Sequence, residues 1–358
     1  MIYLYIASMS GFSGKSLVTL GLGLLLKEKG YDVGFIKPFG NIPMTQGRLL
    51  IDADADFMRK ALDLKEAPDV VSPFVVTYEA QNKVLRGRPS DRFESVKKAI
   101  DSITEKDVVL VGGGANLFEG SLFGISGLRL INHLDAKTLI VEPWSGESSI
   151  DSLIGAKELL GERFVGAVIN KVPHSAHDYI KKSVRPFLEK KKIRVFASLH
   201  RDILLDSITI RQLNEILSGK VLCCEESLDD FIENFSIGAM DVDSAIKYFR
   251  RTPNKAVITG ANRSDIQLAA LETSTKCIVL TGGMYTNDVI IGKAKMCGVP
   301  IISVHDDTFT TVEKIESILG KIRIREQKKV LKTKEIVEKE FDMKRLLDGL
   351  DLTKGSRT

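Results

Sequence analysis

At 358 residues the chain is long enough for two domains of roughly 150 residues each, and a hydrophobic content of 44% excludes a disordered chain. A formal charge of +4 is too small to point to nucleic acid, and the excess is uneven, since 12 basic against 7 acidic residues lie from Lys321 onward. No apolar run approaches the roughly 20 residues of a membrane span, no basic residue precedes Lys15 as a secretory signal requires, and four cysteines without a Cys-x-x-Cys pair indicate a reduced, cytoplasmic protein.

In chain order, Met1 to Ser8 is apolar and β-rich and reads as a buried strand. After a glycine-containing turn, Lys15 to Lys29 reads as a helix stopped by Gly30, and Val33 to Lys37 as a second strand. Helical spacing covers Asp54 to Leu64 and Ser95 to Ile103. Strands follow at Asp107 to Val111, Thr138 to Val141 and Phe164 to Asn170, with a helix from Ile150 to Leu160 closed by Gly161. Short apolar strands alternating with helices predict a parallel sheet covered on both faces. A boundary falls at Leu217-Ser218-Gly219-Lys220. Beyond it the alternation resumes on a smaller scale, with strands at Ala256 to Thr259, Cys277 to Leu280 and Pro300 to Val304. Val330 to Leu347 predicts an amphipathic, charged helix.

The sharpest chemical signal is Ser10-Gly11-Phe12-Ser13-Gly14-Lys15-Ser16, set between the first strand and the first helix. Backbone N–H groups at a helix start cradle phosphate. In such a loop Lys15 reaches the β- and γ-phosphates and the Ser16 hydroxyl binds Mg²⁺. Met9 stands where the motif G-x-x-x-x-G-K-[ST] has its leading glycine. Lys37 closes the second strand, at the edge where open α/β sheets bind ligands, although a solvated strand end reads equally well. Asp52, Asp54 and Asp56 alternate into a helix, where carboxylates either cap the N-terminus or serve a metal. His174 and His177 are three apart with no third ligand near in sequence, so zinc is not expected. Thr281-Gly282-Gly283 is either a plain β–α turn or, with Arg263, an anion pocket, and Asp306-Asp307 reads as a helix cap.

Taken together, Ser13-Gly14-Lys15-Ser16, Lys37-Pro38, Asp52-Ala53-Asp54-Ala55, Asp107 to Val111, Ser149-Ile150-Asp151 and Asn170-Lys171-Val172-Pro173 resemble the dethiobiotin synthetase superfamily. They are closer still to the N-terminal region of long bacterial phosphotransacetylases. Gly260, Asn262 to Ile266, Leu280 to Gly283 and Asp306 to Phe309 resemble the DRTGG domain that follows in those proteins, with Asn262 in place of the aspartate that gives the domain its name. The resemblance implies a P-loop α/β domain over 1–217, a DRTGG domain over 220–325 and a charged helical tail over 326–358. It also implies ATP with Mg²⁺, catalytic roles for Lys15 and Lys37, Ser16 and Asp54 as metal ligands, and Asn170 against the nucleotide base. The family's metal-binding glutamate is missing: Gly112-Gly113-Gly114 stands in its place, and Glu119, seven residues on, is the one substitute in view.

No acetyltransferase domain is recognisable, so the favoured reading is a nucleotide-binding regulatory protein linked to acetyl-CoA and acetyl phosphate metabolism. An ATP-dependent ligase acting on a carboxylate or carbamate is the alternative, and a partner-binding module with a vestigial loop is the third. The expected partners are a nucleotide, a small-molecule effector or metabolic enzyme, and a second copy of the chain, but neither nucleic acid nor membrane.

Overall fold

The computed structural model describes residues 1–88, 90–283, 286–319 and 326–352. The expected end of the second domain at 325 and the last residues of the tail lie outside these. The chain divides into two compact units, Met1–Arg201 with Arg323–Thr358, and Asp202–Ile322. The parting thus falls at 201/202, ahead of the Leu217–Lys220 boundary read from the sequence, and the tail groups with the first unit.

The first unit is built on β1 (Ile2–Ala7), β2 (Val33–Ile36), β5 (Val108–Gly112), β6 (Lys137–Pro143), β7 (Phe164–Val172) and β8 (Val195–His200), with β3 (Pro43–Gln46) and β4 (Leu49–Asp52) forming a separate antiparallel hairpin. The six strands make one sheet in the order β2-β5-β1-β6-β7-β8, every pair parallel. Helices cover both faces, so the strands read as unbroken apolar runs: Val108 to Val111 are all fully buried. β1 lies in mid-sheet and feeds directly into helix α1 (Lys15–Glu28). The hairpin escaped the sequence reading because its strands are four residues long and largely exposed around Gly47, leaving only the three-residue apolar run Leu49 to Ile51.

The tail does not stay in solvent. The helix Gln327–Glu340 packs along α1, and a Cβ at Gly21 would overlap Val337, which is fully buried. Lys334 pairs with Glu28, the Phe196 and Phe341 rings stack 5.7 Å apart, and Arg345 clasps Glu189 through two bonds of 2.6 and 2.7 Å. The glycine at 21 is therefore a seat for this helix. Val337→Asp, which places a charge in that seat, is expected to lower unfolding free energy by about 3 kcal/mol, read from urea denaturation.

The second unit carries a five-stranded sheet, β10 (Lys220–Cys223), β15 (Ile301–Ser303), β14 (Thr275–Thr281), β13 (Lys255–Gly260) and β12 (Asn234–Ile237) in that spatial order, parallel except for β10 against β15. A small antiparallel pair, β9 (Ile208–Thr209) with β11 (Phe231–Ile232), lies apart from it. All four cysteines are free thiols. Among the described residues no helix is long and apolar enough to cross a membrane.

Candidate functional site

The loop after β1 wraps over the start of α1. Gly14 holds φ +90°, and a Cβ there would run into the Asn170 amide, so only glycine closes this turn. Gly11 faces open space, Phe12 is half exposed at φ +54°, and Ser13 is buried. Ser16 stands exposed on the first turn of α1.

Lys15 folds back over the loop. Its Nζ donates to Ser8 Oγ at 2.6 Å, Ala115 O at 3.2 Å and Ser13 Oγ at 3.3 Å. Burial pushes its pKa down to about 8, and Lys37 pushes the same way. Glu119 and Glu142 pull against that shift without cancelling it. The ammonium is thus held largely out of water and bonded only to neutral oxygens, and an arriving anion would stabilise its charge.

Two carboxylates stand near it. Glu119 accepts from the Ala115 N–H and lies against Gly114, so the sequence's substitute for the missing glutamate does reach this neighbourhood. A Cβ at Gly112 itself would press on the Phe35 ring at 3.2 Å, and one at Gly113 would meet Ile6 O at 2.8 Å, so the glycine run is fixed by packing. The second carboxylate, Glu142, was missed by sequence reasoning. It lies near the end of β6, almost fully buried, accepting from the Met9 N–H and the Ser10 hydroxyl, both at 3.3 Å. Burial raises its carboxyl, outweighing those bonds, a further one from Ser152, and the Lys15 charge. The available signal was a glutamate closing the otherwise apolar run Thr138 to Val141, on the strand next to β1.

Asn170, at the end of β7, donates from Nδ2 to Ser13 O at 2.8 Å. It braces the loop backbone directly. Lys37 lies apart from this bonding. Its Nζ meets Asp52 Oδ1 at 2.9 Å and Asp54 Oδ2 at 3.8 Å. Of the three alternating aspartates, Asp52 is the one that caps: it accepts from the Asp54 and Ala55 N–H groups at the start of α2 (Ala53–Ala61) and from the Asn41 and Ile42 N–H groups. Asp56 pairs with Arg59 and Lys60, and Asp54 stays partly exposed beside Lys37. Among the described residues no three His, Cys, Asp or Glu side chains form a ready metal cage. Mg²⁺ does not require one, since it is commonly held by one or two protein oxygens plus phosphate and water.

The second unit answers its own alternatives. Gly282 and Gly283 have φ of +91° and +68°, and their N–H groups donate across the fold to Asp306 O and Val304 O, so both amides are already taken. The Arg263 guanidinium is committed to Asp265 and to Met240 O. Asp307 caps the helix Thr308–Leu319 through the Thr310 N–H.

Residues 3–209 match the family model described as an AAA domain. The chain belongs to that family. Residues 212–318 match the DRTGG domain, so the two matches meet close to the join of the two units. Among curated proteins, a phosphate acetyltransferase of Nitratidesulfovibrio vulgaris is 24% identical over 99% of this chain and 52% of its own length. The phosphate acetyltransferase of Pseudomonas aeruginosa is 21% identical over 93% and 50%. An ATP-dependent dethiobiotin synthetase of Caldicellulosiruptor saccharolyticus is 36% identical over 62 residues, 17% of this chain and 26% of its own. The chain spans about half the length of the phosphate acetyltransferases it matches. Among solved structures, the MinD cell division protein of Aquifex aeolicus aligns with a TM-score of 0.36 at 17% identity, covering 56% of this chain and 83% of that one.

Proposed function

We propose that the first unit binds ATP with Mg²⁺ and that the protein acts as a nucleotide-responsive regulator tied to acetyl phosphate metabolism. The observation that carries this is the state of Lys15: largely buried, bonded only to neutral oxygens, and set over a loop whose glycine at 14 has the positive φ that turns backbone N–H groups toward a phosphate. The loop residues Ser10 to Ser16 would hold the phosphates, Ser16 and Asp54 the cation, and Asn170 the wall between loop and base. The whole-chain match to phosphate acetyltransferases supports the metabolic link. Lys37 is already committed to Asp52 at 2.9 Å, which weighs against the ligase reading, where it would have to act on an acceptor.

The test is titration of a fluorescent ATP analogue with and without Mg²⁺, followed by an ADP-release assay over carboxylate and amine substrates. Binding that needs Mg²⁺, without turnover, supports the proposal, whereas turnover abolished by Lys37→Ala would replace it with the ligase. A pH dependence follows as well. The free amine titrates near 8 and a bound phosphate raises that value, so binding takes up protons above about pH 8. Affinity should hold steady below pH 8 and fall by up to about tenfold per pH unit above it, far earlier than an ordinary lysine at 10.5 would allow.

A further inference from the structure

The pair His174 and His177 gains a third member in the fold. β7 and β8 run parallel with Val172 opposite His200, and the Arg201 N–H donates to Val172 O at 3.0 Å. This sets His200, the last residue of β8, beside the turn that follows β7. The ring of His200 lies 5.2 Å from that of His174, near-parallel at 20°, and 4.5 Å from that of His177. Its Nδ1 is buried with no hydrogen-bond partner. A buried ring nitrogen without a partner disfavours the protonated ring, which carries two N–H donors that each need an acceptor. The His200 ring stacks on His174 and lies tilted against His177, and no metal cage forms among the described residues.

We propose that the three imidazoles that meet at His200 are a proton-operated latch: while the His200 ring is neutral they hold the turn of residues 173–177 on the end of β8, and a proton added to that ring releases it. A proton on His200 puts positive charge on a partly buried ring against two other imidazoles, and that cost is relieved when the ring turns to water. His174 and His177 pack on that ring, so the turn moves with it. The titratable and charged groups acting on His200 are His177 and His174 from the turn and Glu340 from the end of the C-terminal helix. Asp178, beside His177, is taken by Lys182 at 2.8 Å. Burial first, and then the two histidines, hold the His200 ring below the ordinary histidine value, with Glu340 and a backbone hydrogen bond at Val172 opposing. The latched His200 ring therefore resists protonation more than the unlatched one, and the latch loosens as pH falls below about 6.5. It does so on the strand that also carries Asn170, four residues ahead of His174.

Hydrogen exchange of the whole protein at about pH 7.5 and about pH 5.5, corrected for the intrinsic rate at each pH, tests this. Wild type should lose up to about tenfold of its protection over residues 173–184 in acid, and His200→Phe, which keeps a stacking ring but cannot take a proton, should lose none. If His200→Phe does not fold, His177→Gln, which removes one of the groups holding the His200 ring below the ordinary value, should lose less protection in acid than wild type. Unchanged protection in wild type, or equal loosening in His200→Phe, would overturn the latch. So would stoichiometric Zn²⁺ binding abolished by His177→Gln, which would make the cluster a metal site instead.

Discussion

Lys15→Ala is expected to weaken ATP binding by about 100-fold or more while leaving the unliganded protein as stable as wild type, or slightly more so. The two effects separate because of how this amine is held. Charge-assisted bonds to phosphate contribute about 1.5–3 kcal/mol each, and removing roughly two of them corresponds to a loss of this size. In the unliganded protein the same ammonium is desolvated and has only Ser8 Oγ, Ser13 Oγ and Ala115 O to offset that, as its lowered pKa of about 8 records. Truncation removes this burden. The check is paired: calorimetric titration with Mg²⁺-ATP, and thermal unfolding with and without nucleotide. The melting point of the bare variant should match wild type within a degree or two, and the upward shift given by nucleotide should vanish. A variant that keeps the shift would show that the nucleotide does not sit on this loop, and one that simply unfolds would show that Lys15 is a structural element.

What the sequence made legible was whatever is local and periodic. The strands Met1 to Ser8, Asp107 to Val111 and Phe164 to Asn170 stood out because a sheet covered on both faces leaves no polar alternation, and the corresponding residues Leu4 to Ala7, Val108 to Val111 and Val165 to Asn170 are indeed buried. The phosphate loop stood out because its residues are contiguous. Contacts made across the fold left no local trace. Glu142 reaches the loop from 132 and 133 positions away along the chain. The value of Gly21 is visible only once Val337 packs on it, and the packing of the charged tail helix left no mark because its buried side holds few residues, chiefly Lys329, Thr333 and Val337, two of them polar. His200 lies 23 positions beyond His177, and parallel register alone brings the two together. Within Asp52-Ala53-Asp54-Ala55-Asp56 the spacing offers three equivalent carboxylates. Backbone geometry chooses among them, since only Asp52 has the extended φ/ψ of an N-cap.

That choice gives the largest stability effect expected in the first unit. Asp52→Ala should cost about 3–5 kcal/mol, the range for removing one partner of a buried ion pair. Asp52 is fully buried, while the Lys37 side chain is 13% exposed. One oxygen accepts from Lys37 Nζ and the Asp54 and Ala55 N–H groups, and the other from the Asn41 and Ile42 N–H groups. A single carboxylate thus ties the segment after β2, the approach to the hairpin and the start of α2, and alanine leaves an ammonium and four backbone donors without it. Burial alone would raise this carboxyl, but the Lys37 charge and the hydrogen bonds outweigh it and hold the pKa below 3.8. The folded value is depressed, so the stabilisation is fully present above 3.8 and is lost as pH falls through the lower, folded value. Urea midpoints taken from neutral pH down to about pH 3 should fall in wild type and flatten over that acid limb in Asp52→Asn, which keeps an acceptor but not the charge. Asp54→Asn separates structure from function at the same spot. Its side chain is 24% exposed and 3.8 Å from Lys37, so the change should move stability by no more than about 0.5 kcal/mol. The Mg²⁺ dependence of nucleotide binding should nonetheless drop with it, and if Asp54→Asn leaves that dependence intact, Glu142 becomes the carboxylate to test against the metal.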